Sequence, residues 1–62
     1  MARAEEAVTA LREAIAALLS ARGLACSDAD QARLAACTDV STLQRWLLRA
    51  TSAVAAEDVF SS

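Results

Sequence analysis

Hydrophobic residues recur at helical spacing in the first third of the chain. At about 100° per residue, the apolar positions from about Arg3 to Arg22 fall on one side of a helix. That side carries Ala4, Ala7, Val8, Leu11, Ile15 and Leu18, and the opposite side carries Glu5, Thr9, Arg12, Glu13, Ala16 and Ser20. Gly23 follows at a position where a left-handed residue commonly ends a helix, and Leu24 can fold back onto the last turn. The pattern predicts a long first helix.

The densest pattern of large apolar residues lies further along and contains the only tryptophan. Val40, Leu43, Trp46, Leu47, Ala50 and Val54 share an arc of about 120° on a helix, with polar residues opposite. Asp39 directly precedes them, and its carboxylate can accept hydrogen bonds from the first helical turn. We expect a helix that begins at Val40, followed by a frayed or bent stretch at Thr51 to Val54.

A shorter helix is predicted between these two, from Asp28 to about Cys37. Ser27 precedes it, and the spacing of Ser27 and Asp30 resembles a capping box in which Asp replaces Glu or Gln. We expect Leu34 and Cys37 to face inward. The opposite strip consists of Ala29, Ala32 and Ala36.

A last helical turn, from Ala55 to Phe60, completes the predicted elements, with Val59 and Phe60 as its apolar plugs. The chain therefore reads as one all-α module over residues 1–62, a small three-helix bundle with a short C-terminal fourth turn. Proline is absent and glycine occurs once, which favours helices. The expected core consists of Val8, Leu11, Ile15, Leu18, Leu34, Leu43, Trp46 and Leu47.

Nearly half of the apolar residues carry only a methyl group, because alanine accounts for 17 of the 35 hydrophobic residues. A buried large aliphatic side chain contributes about 1.5–3 kcal/mol, and alanine contributes far less. Scaffolds of this size generally need disulfides, a metal ion or self-association. The chain has no histidine and two cysteines, so self-association is the favoured solution.

Two features mark candidate contact surfaces. The first is a strip on the first helix formed by Ala10, Ala14, Ala17 and Ala21. It is either an ordinary exposed flank or a close-packed seam, within the domain or between copies. The second is Leu48, which projects about 140° from Leu43 toward polar positions. Leu48 is either an ordinary exposed leucine or a contact point for a second chain.

No arrangement of residues suggests catalysis. Cys26 and Cys37 match no zinc spacing, and a helix between them would hold them about 15 Å apart. Bridged Cα atoms lie about 6 Å apart, so we expect two small buried hydrophobes. The acidic pairs Glu5/Glu6 and Glu57/Asp58 diverge by about 100° on a helix and resemble solvated charges. We therefore predict no enzyme activity, no cofactor and no metal site.

The charge of the chain bears on nucleic-acid binding, and its N-terminus bears on its location. The net charge of −2 and pI near 4.8 disfavour nucleic acid. A helix-turn-helix around Thr38-Asp39 is conceivable, but its polar residues are better explained as a solvated surface. Those residues are Ser41, Gln44, Arg45 and Arg49. The N-terminus lacks the layout of a secretion signal, and no membrane span is expected, so we expect a cytoplasmic protein with reduced cysteines.

Four short segments carry a resemblance to a known family. They are ARGL at 21–24 with Ser27, ACTD at 36–39, LQRWLLRA at 43–50 and EDVF at 57–60. Together they resemble the helical C-terminal segment of bacterial Rpn-type, PD-(D/E)XK-nuclease-like transposase proteins, over about two thirds of the chain. The nuclease motif of that family lies in an upstream α/β domain that these 62 residues do not contain.

The resemblance implies an appended helical module for oligomerisation or partner docking. Two departures matter: Ala55 stands where such segments tend to have a capping serine or threonine, and Leu48 stands where a polar residue is more usual. The expected function is a non-catalytic oligomerisation or protein-interaction module, with a homo-oligomer as its assembly. Alternatives are a regulatory or inhibitory partner of a larger protein carrying the same module and, less favoured, a DNA-binding protein.

Overall fold

The computed structural model describes residues 4–60, and that part of the chain folds into four helices with no strand. The helices are α1 (Ala4–Ala21), α2 (Asp28–Ala36), α3 (Val40–Ala50) and α4 (Ala56–Phe60). The all-α class and the short fourth helix are therefore confirmed. The predicted helix start at Arg3 lies outside the described residues.

Helix α1 ends as its sequence predicts. Gly23 has a φ of 72°, and its N–H donates to the Ser20 carbonyl at 3.0 Å. The Leu24 N–H donates to the Leu19 carbonyl at 2.9 Å. These two bonds form a Schellman motif, which satisfies carbonyls that the helix end would leave unpaired and turns Leu24 back onto the core.

The starts of α2 and α3 also follow from local side-chain chemistry. The Asp30 N–H donates to Ser27 Oγ at 3.1 Å, and the Ser27 N–H donates to Asp30 Oδ2 at 3.3 Å, so the capping box is complete. At the next helix, Asp39 Oδ2 accepts from the Thr42 N–H at 3.2 Å and from the Thr42 hydroxyl at 2.6 Å. Both predicted caps are confirmed.

Three arginines tie the helices together through backbone carbonyls. Arg12 donates from Nε and Nη2 to the Cys37 carbonyl, at 3.1 and 2.6 Å. Arg22 Nη1 donates to the carbonyls of Ala50 and Ala53, at 2.8 and 2.6 Å. Since Cys37 lies just before α3 and Ala50 ends it, α1 and α3 run in the same direction. Arg12, which the sequence placed on the polar side of α1, is half-buried in this contact.

The third tie joins α2 to the end of α4. Arg33 Nη1 donates to the Phe60 carbonyl at 3.0 Å. All three arginines therefore bind carbonyls at or just beyond the C-terminal end of a helix, where the helix dipole favours positive charge. Each contact spans 25 or more residues of sequence.

The core lies where α1 packs on α3 and where α4 packs on α3 and α2. Half of the predicted core is buried: Val8, Ile15, Leu34 and Leu43. The other half is only partly buried and packs at the edge of the core: Leu11, Leu18, Trp46 and Leu47. The buried apolar residues outside the predicted core list are Leu19, Ala50, Ala53, Ala56, Val59 and Phe60, of which Ala50, Val59 and Phe60 were expected on apolar positions of their helices.

The turn after α3 explains much of this difference. Because the helix ends at Ala50, the chain bends at Thr51 and Ser52 and carries Ala53 into the core. Val54, which a continued helix would have brought to the apolar side, is 86% exposed. The prediction that Val54 shares the apolar arc is wrong. The expected bend and the two plugs of the last turn, Val59 and Phe60, are confirmed.

Candidate interaction surfaces

The alanine strip of α1 lies on the surface of the chain. Ala10, Ala14, Ala17 and Ala21 are all exposed, so no described helix of the same chain packs on them. A seam within the domain is thereby excluded as the reason for the strip. Leu48 is 72% exposed on α3. The predicted contact residues are thus accessible to a second chain.

A half-open apolar edge lies between the strip and Leu48. Leu11 and Leu18 lie about 100–120° around α1 from Arg12, the side chain that reaches the end of α2. On α3, Val40 and Leu47 lie about 100–120° from Trp46, which faces α4.

These four apolar side chains are half-buried and line the junction of α1 and α3 away from α2 and α4. The strip lies on one flank of this edge and Leu48 on the other, and we name the whole series of positions the α1/α3 face. Its members are Ala10, Leu11, Ala14, Ala17, Leu18, Ala21, Val40, Leu47 and Leu48.

A second surface lies on the other side of α3, where α2, α3 and α4 meet. It is an open groove of about 520 Å³, which we name the Trp46 groove. Its lining residues are Arg33, Ala36, Cys37, Thr42, Arg45, Trp46, Arg49 and Phe60. Three of them carry guanidinium groups, and none of them carries a carboxylate. Sequence reasoning noticed Arg45 and Arg49 but did not foresee this groove, because Arg33 and Phe60 join it only after folding.

The outer side of α1 carries the opposite charge. Glu5, Glu6 and Glu13 line a shallow depression together with Thr9 and Ala10. We name it the acidic α1 side. The three glutamates are exposed, and within residues 4–60 their carboxylates have no hydrogen-bond or ion-pair partner.

The cysteines lie apart and unbridged. Cys26 and Cys37 are free and half-buried. Burial raises the pKa of the Cys26 thiol, and the negative charge of Asp30 raises this pKa further. The Cys37 thiol points to the Asp39 carbonyl oxygen, with a sulfur-oxygen distance of 3.7 Å. Both cysteines pack against the core as small apolar side chains.

The described residues contain neither a candidate metal-ligand cluster nor a helix that could span a membrane. Residues 4–60 contain no cluster of three or more histidine, cysteine, aspartate or glutamate side chains that could hold a metal ion. No helix in the same range is both long and apolar enough to cross a membrane.

The residues suggested for a helix-turn-helix contact do not form a single polar surface. Ser41, Gln44 and Arg45 are exposed on α3, but Leu48 lies beside them, and Arg49 is half-buried at the Trp46 groove. In its exposed part, this side of α3 therefore combines polar residues with a large apolar one.

Comparison with protein-family models, curated proteins and solved structures finds no match to the chain. The resemblance to the Rpn-type C-terminal segment therefore stays a prediction that depends on the quoted residues. Any functional proposal has to be argued from the surfaces described above.

Proposed function

We propose that the chain is a non-catalytic helical module that self-associates through the α1/α3 face. The observation that carries this proposal is the exposure of Leu48 beside a half-open apolar edge. Exposed apolar residues grouped in one area commonly mark contact sites, whereas scattered ones are ordinary.

The shape of α1 supports the same contact. A row of alanines lets another helix approach closely, because methyl groups leave little bulk between the two backbones. Leu11 and Leu18 flank this row and would lose their remaining contact with water in such a pair. Burying apolar area of this kind contributes about 25 cal/mol per Å².

An interface of ordinary size would cover a large part of this small chain. A stable protein interface buries about 800 Å² on each partner. The chain exposes 4109 Å² in total, so such a contact would cover about a fifth of its surface. The α1/α3 face runs along the longest helix and along α3.

Light scattering after size-exclusion chromatography tests the proposal. The 6.5 kDa chain should give a mass that rises above one copy with concentration, at low and at high salt. Ala17→Glu should weaken association at least tenfold, because it places a charge in the strip. Ala32→Glu is the matched control, since Ala32 is an exposed alanine inside α2 and lies off the face. A folded monomer at millimolar concentration would refute the proposal.

A second candidate is docking of the chain onto a larger protein that carries the same helical module. Leu48 favours this candidate. The Rpn-type segments that the chain resembles more usually have a polar residue at this position. The chain should then capture such a protein from its native lysate, and Leu48→Glu should abolish the capture. Equal capture by the wild-type chain and by the Leu48→Glu variant would count against this candidate.

A further inference from the structure

We propose that the Trp46 groove binds the acidic α1 side of a second copy of the chain, in a head-to-tail contact. This inference extends the proposed self-association to a different pair of surfaces. The two contacts share only Ala10, so substitutions at other residues of the two surfaces distinguish them.

The positive charge of the groove is concentrated and partly fixed in position. The chain has six basic residues, all arginine, and three of them line this one groove. The bond from Arg33 Nη1 to the Phe60 carbonyl orients that guanidinium at the rim. Arg45 is exposed on the opposite wall. Hydrogen bonds from Thr42 and, to a lesser extent, the charge of Arg45 lower the pKa of the Asp39 carboxyl, which lies outside the groove lining.

The floor of the groove is apolar. Trp46 is half-buried there against the edge of Phe60, and Ala36 and Cys37 line the floor beside it. Exposed ion pairs contribute only about 0.2–1 kcal/mol each. An occupant therefore needs both carboxylates for the arginines and a small surface that can approach the indole. Tryptophan and arginine are the residue types that most often dominate protein contacts.

The acidic α1 side has both properties. Glu5, Glu6 and Glu13 supply carboxylates for the exposed Arg45 and for Arg33 at the rim, whereas Arg49 already has a partner within the chain. Thr9 and Ala10 lie between them and present small side chains to the Trp46 floor. The chain's own surface is thus complementary to its own groove in charge and in size.

The two surfaces lie on different helices of one copy. The groove is lined only by residues of α2, α3, α4 and the segment after α2, and the acidic side is lined only by residues of α1. Helix α1 packs on α3 through Ile15 and Leu43, which are fully buried. Trp46 points away from that contact, toward Phe60. A contact between two different surfaces of identical chains is heterologous, so it closes into a ring or extends as a filament.

Charge reversal with mixing tests this contact. Arg45→Glu alters the groove and Glu13→Arg alters the acidic side, and both residues are exposed, so the fold should persist. Each variant alone should lose the salt-sensitive part of self-association, at least tenfold in affinity at about 50 mM salt. An equimolar mixture should regain the salt-sensitive head-to-tail assembly with the two variants present in equal amounts, because the reversed groove of one variant now matches the reversed helix of the other.

Matched controls separate the effect of position from that of charge. Ala35→Glu adds a negative charge at an exposed position of α2 outside the groove lining, and Glu57→Arg reverses an acid on α4. Both should associate as the wild type does. Leu48→Ala should reduce only the association that persists at about 500 mM salt, so failure of the α1/α3 face and failure of this contact give different results.

Three outcomes would overturn the inference. One is a wild-type mass that does not change between low and high salt. Another is a mixture of the two reversed variants that stays monomeric. The third is salt-sensitive binding of a DNA duplex by the wild type, lost in Arg45→Glu although self-association of that variant is unchanged. This result would assign the groove to phosphate groups.

Discussion

The indole of Trp46 meets the ring of Phe60 edge-on, with ring centroids 5.0 Å apart and planes at 80°. This pair joins α3 to the last residue of α4. Helix α4 has only five residues, too few to be stable in isolation. Its position therefore depends on Phe60, which is 3% exposed, and on the neighbouring Val59, which is fully buried.

Phe60→Ala should lower the free energy of unfolding by about 3 kcal/mol or more, because it opens a cavity in the core. Phe60→Leu should have a smaller effect, since it keeps most of the buried volume. Urea unfolding followed by circular dichroism and by Trp46 fluorescence measures both. Val54→Ala is the control and should change stability by less than about 0.5 kcal/mol, because Val54 is 86% exposed. Equal effects of Phe60→Ala and Val54→Ala would show that α4 is not docked.

The helix boundaries were predictable because they depend on short-range contacts. Ser27 binds Asp30, Asp39 binds Thr42, and the turn at Gly23 is closed by bonds to carbonyls three to five residues earlier. Each of these signals is complete within one short segment. The exposure of Leu48 could also be read from its position on the helix, although its role could not.

The rest depends on contacts between distant segments. Leu19 lies at the edge of the apolar stripe of α1, yet it is 1% exposed in the core cluster that also contains Leu34 and against which Leu24 packs. The ties made by Arg12, Arg22 and Arg33 each join residues at least 25 positions apart. The Trp46 groove exists only when α2 and α4 pack beside α3. In the sequence, only the spacing of Arg45 and Arg49 around Trp46 indicates this groove.

Arg22→Met should lower the free energy of unfolding by about 1–2 kcal/mol, because it removes charged hydrogen bonds to the Ala50 and Ala53 carbonyls. The expected loss of stability is small for two charged hydrogen bonds because the Arg22 side chain is exposed to water. Methionine keeps an apolar stem, so packing changes little. Arg45→Met is the matched control and should change stability by less than about 0.5 kcal/mol. Equal loss in both variants would show that the carbonyl ties are not stabilising.

Gly23→Ala should lower stability by about 1 kcal/mol, which corresponds to a decrease in Tm of about 4–8 °C for a domain of this size. The cause is the φ of 72° alone, since an added Cβ would meet nothing within 4 Å. Gly23→Asn should be milder, because asparagine adopts this conformation more readily. Thermal melts followed by circular dichroism check the order glycine, asparagine, alanine. An alanine variant as stable as the wild type would contradict the Schellman end.

Asp39 should make the stability of the chain depend on acid pH. The hydrogen bonds from the Thr42 hydroxyl and the Thr42 N–H lower the pKa of this carboxyl below its ordinary value of 3.8. Because the folded pKa lies below the unfolded one, the stabilisation is fully present above about pH 4. It is lost as the pH falls through the folded pKa.

Two substitutions at Asp39 separate the charge from the cap. Asp39→Asn keeps a good N-cap without a titrating group, so its stability at pH 7 should stay near that of the wild type and should fall less between pH 4 and pH 2. Asp39→Ala removes the cap and should be less stable at both ends of this range. Urea unfolding at several pH values measures these differences. Glu13→Gln removes an exposed carboxylate of α1 and controls for the change in net charge. If Glu13→Gln and Asp39→Asn lose the same stability between pH 4 and pH 2, Asp39 has no special part in the acid dependence.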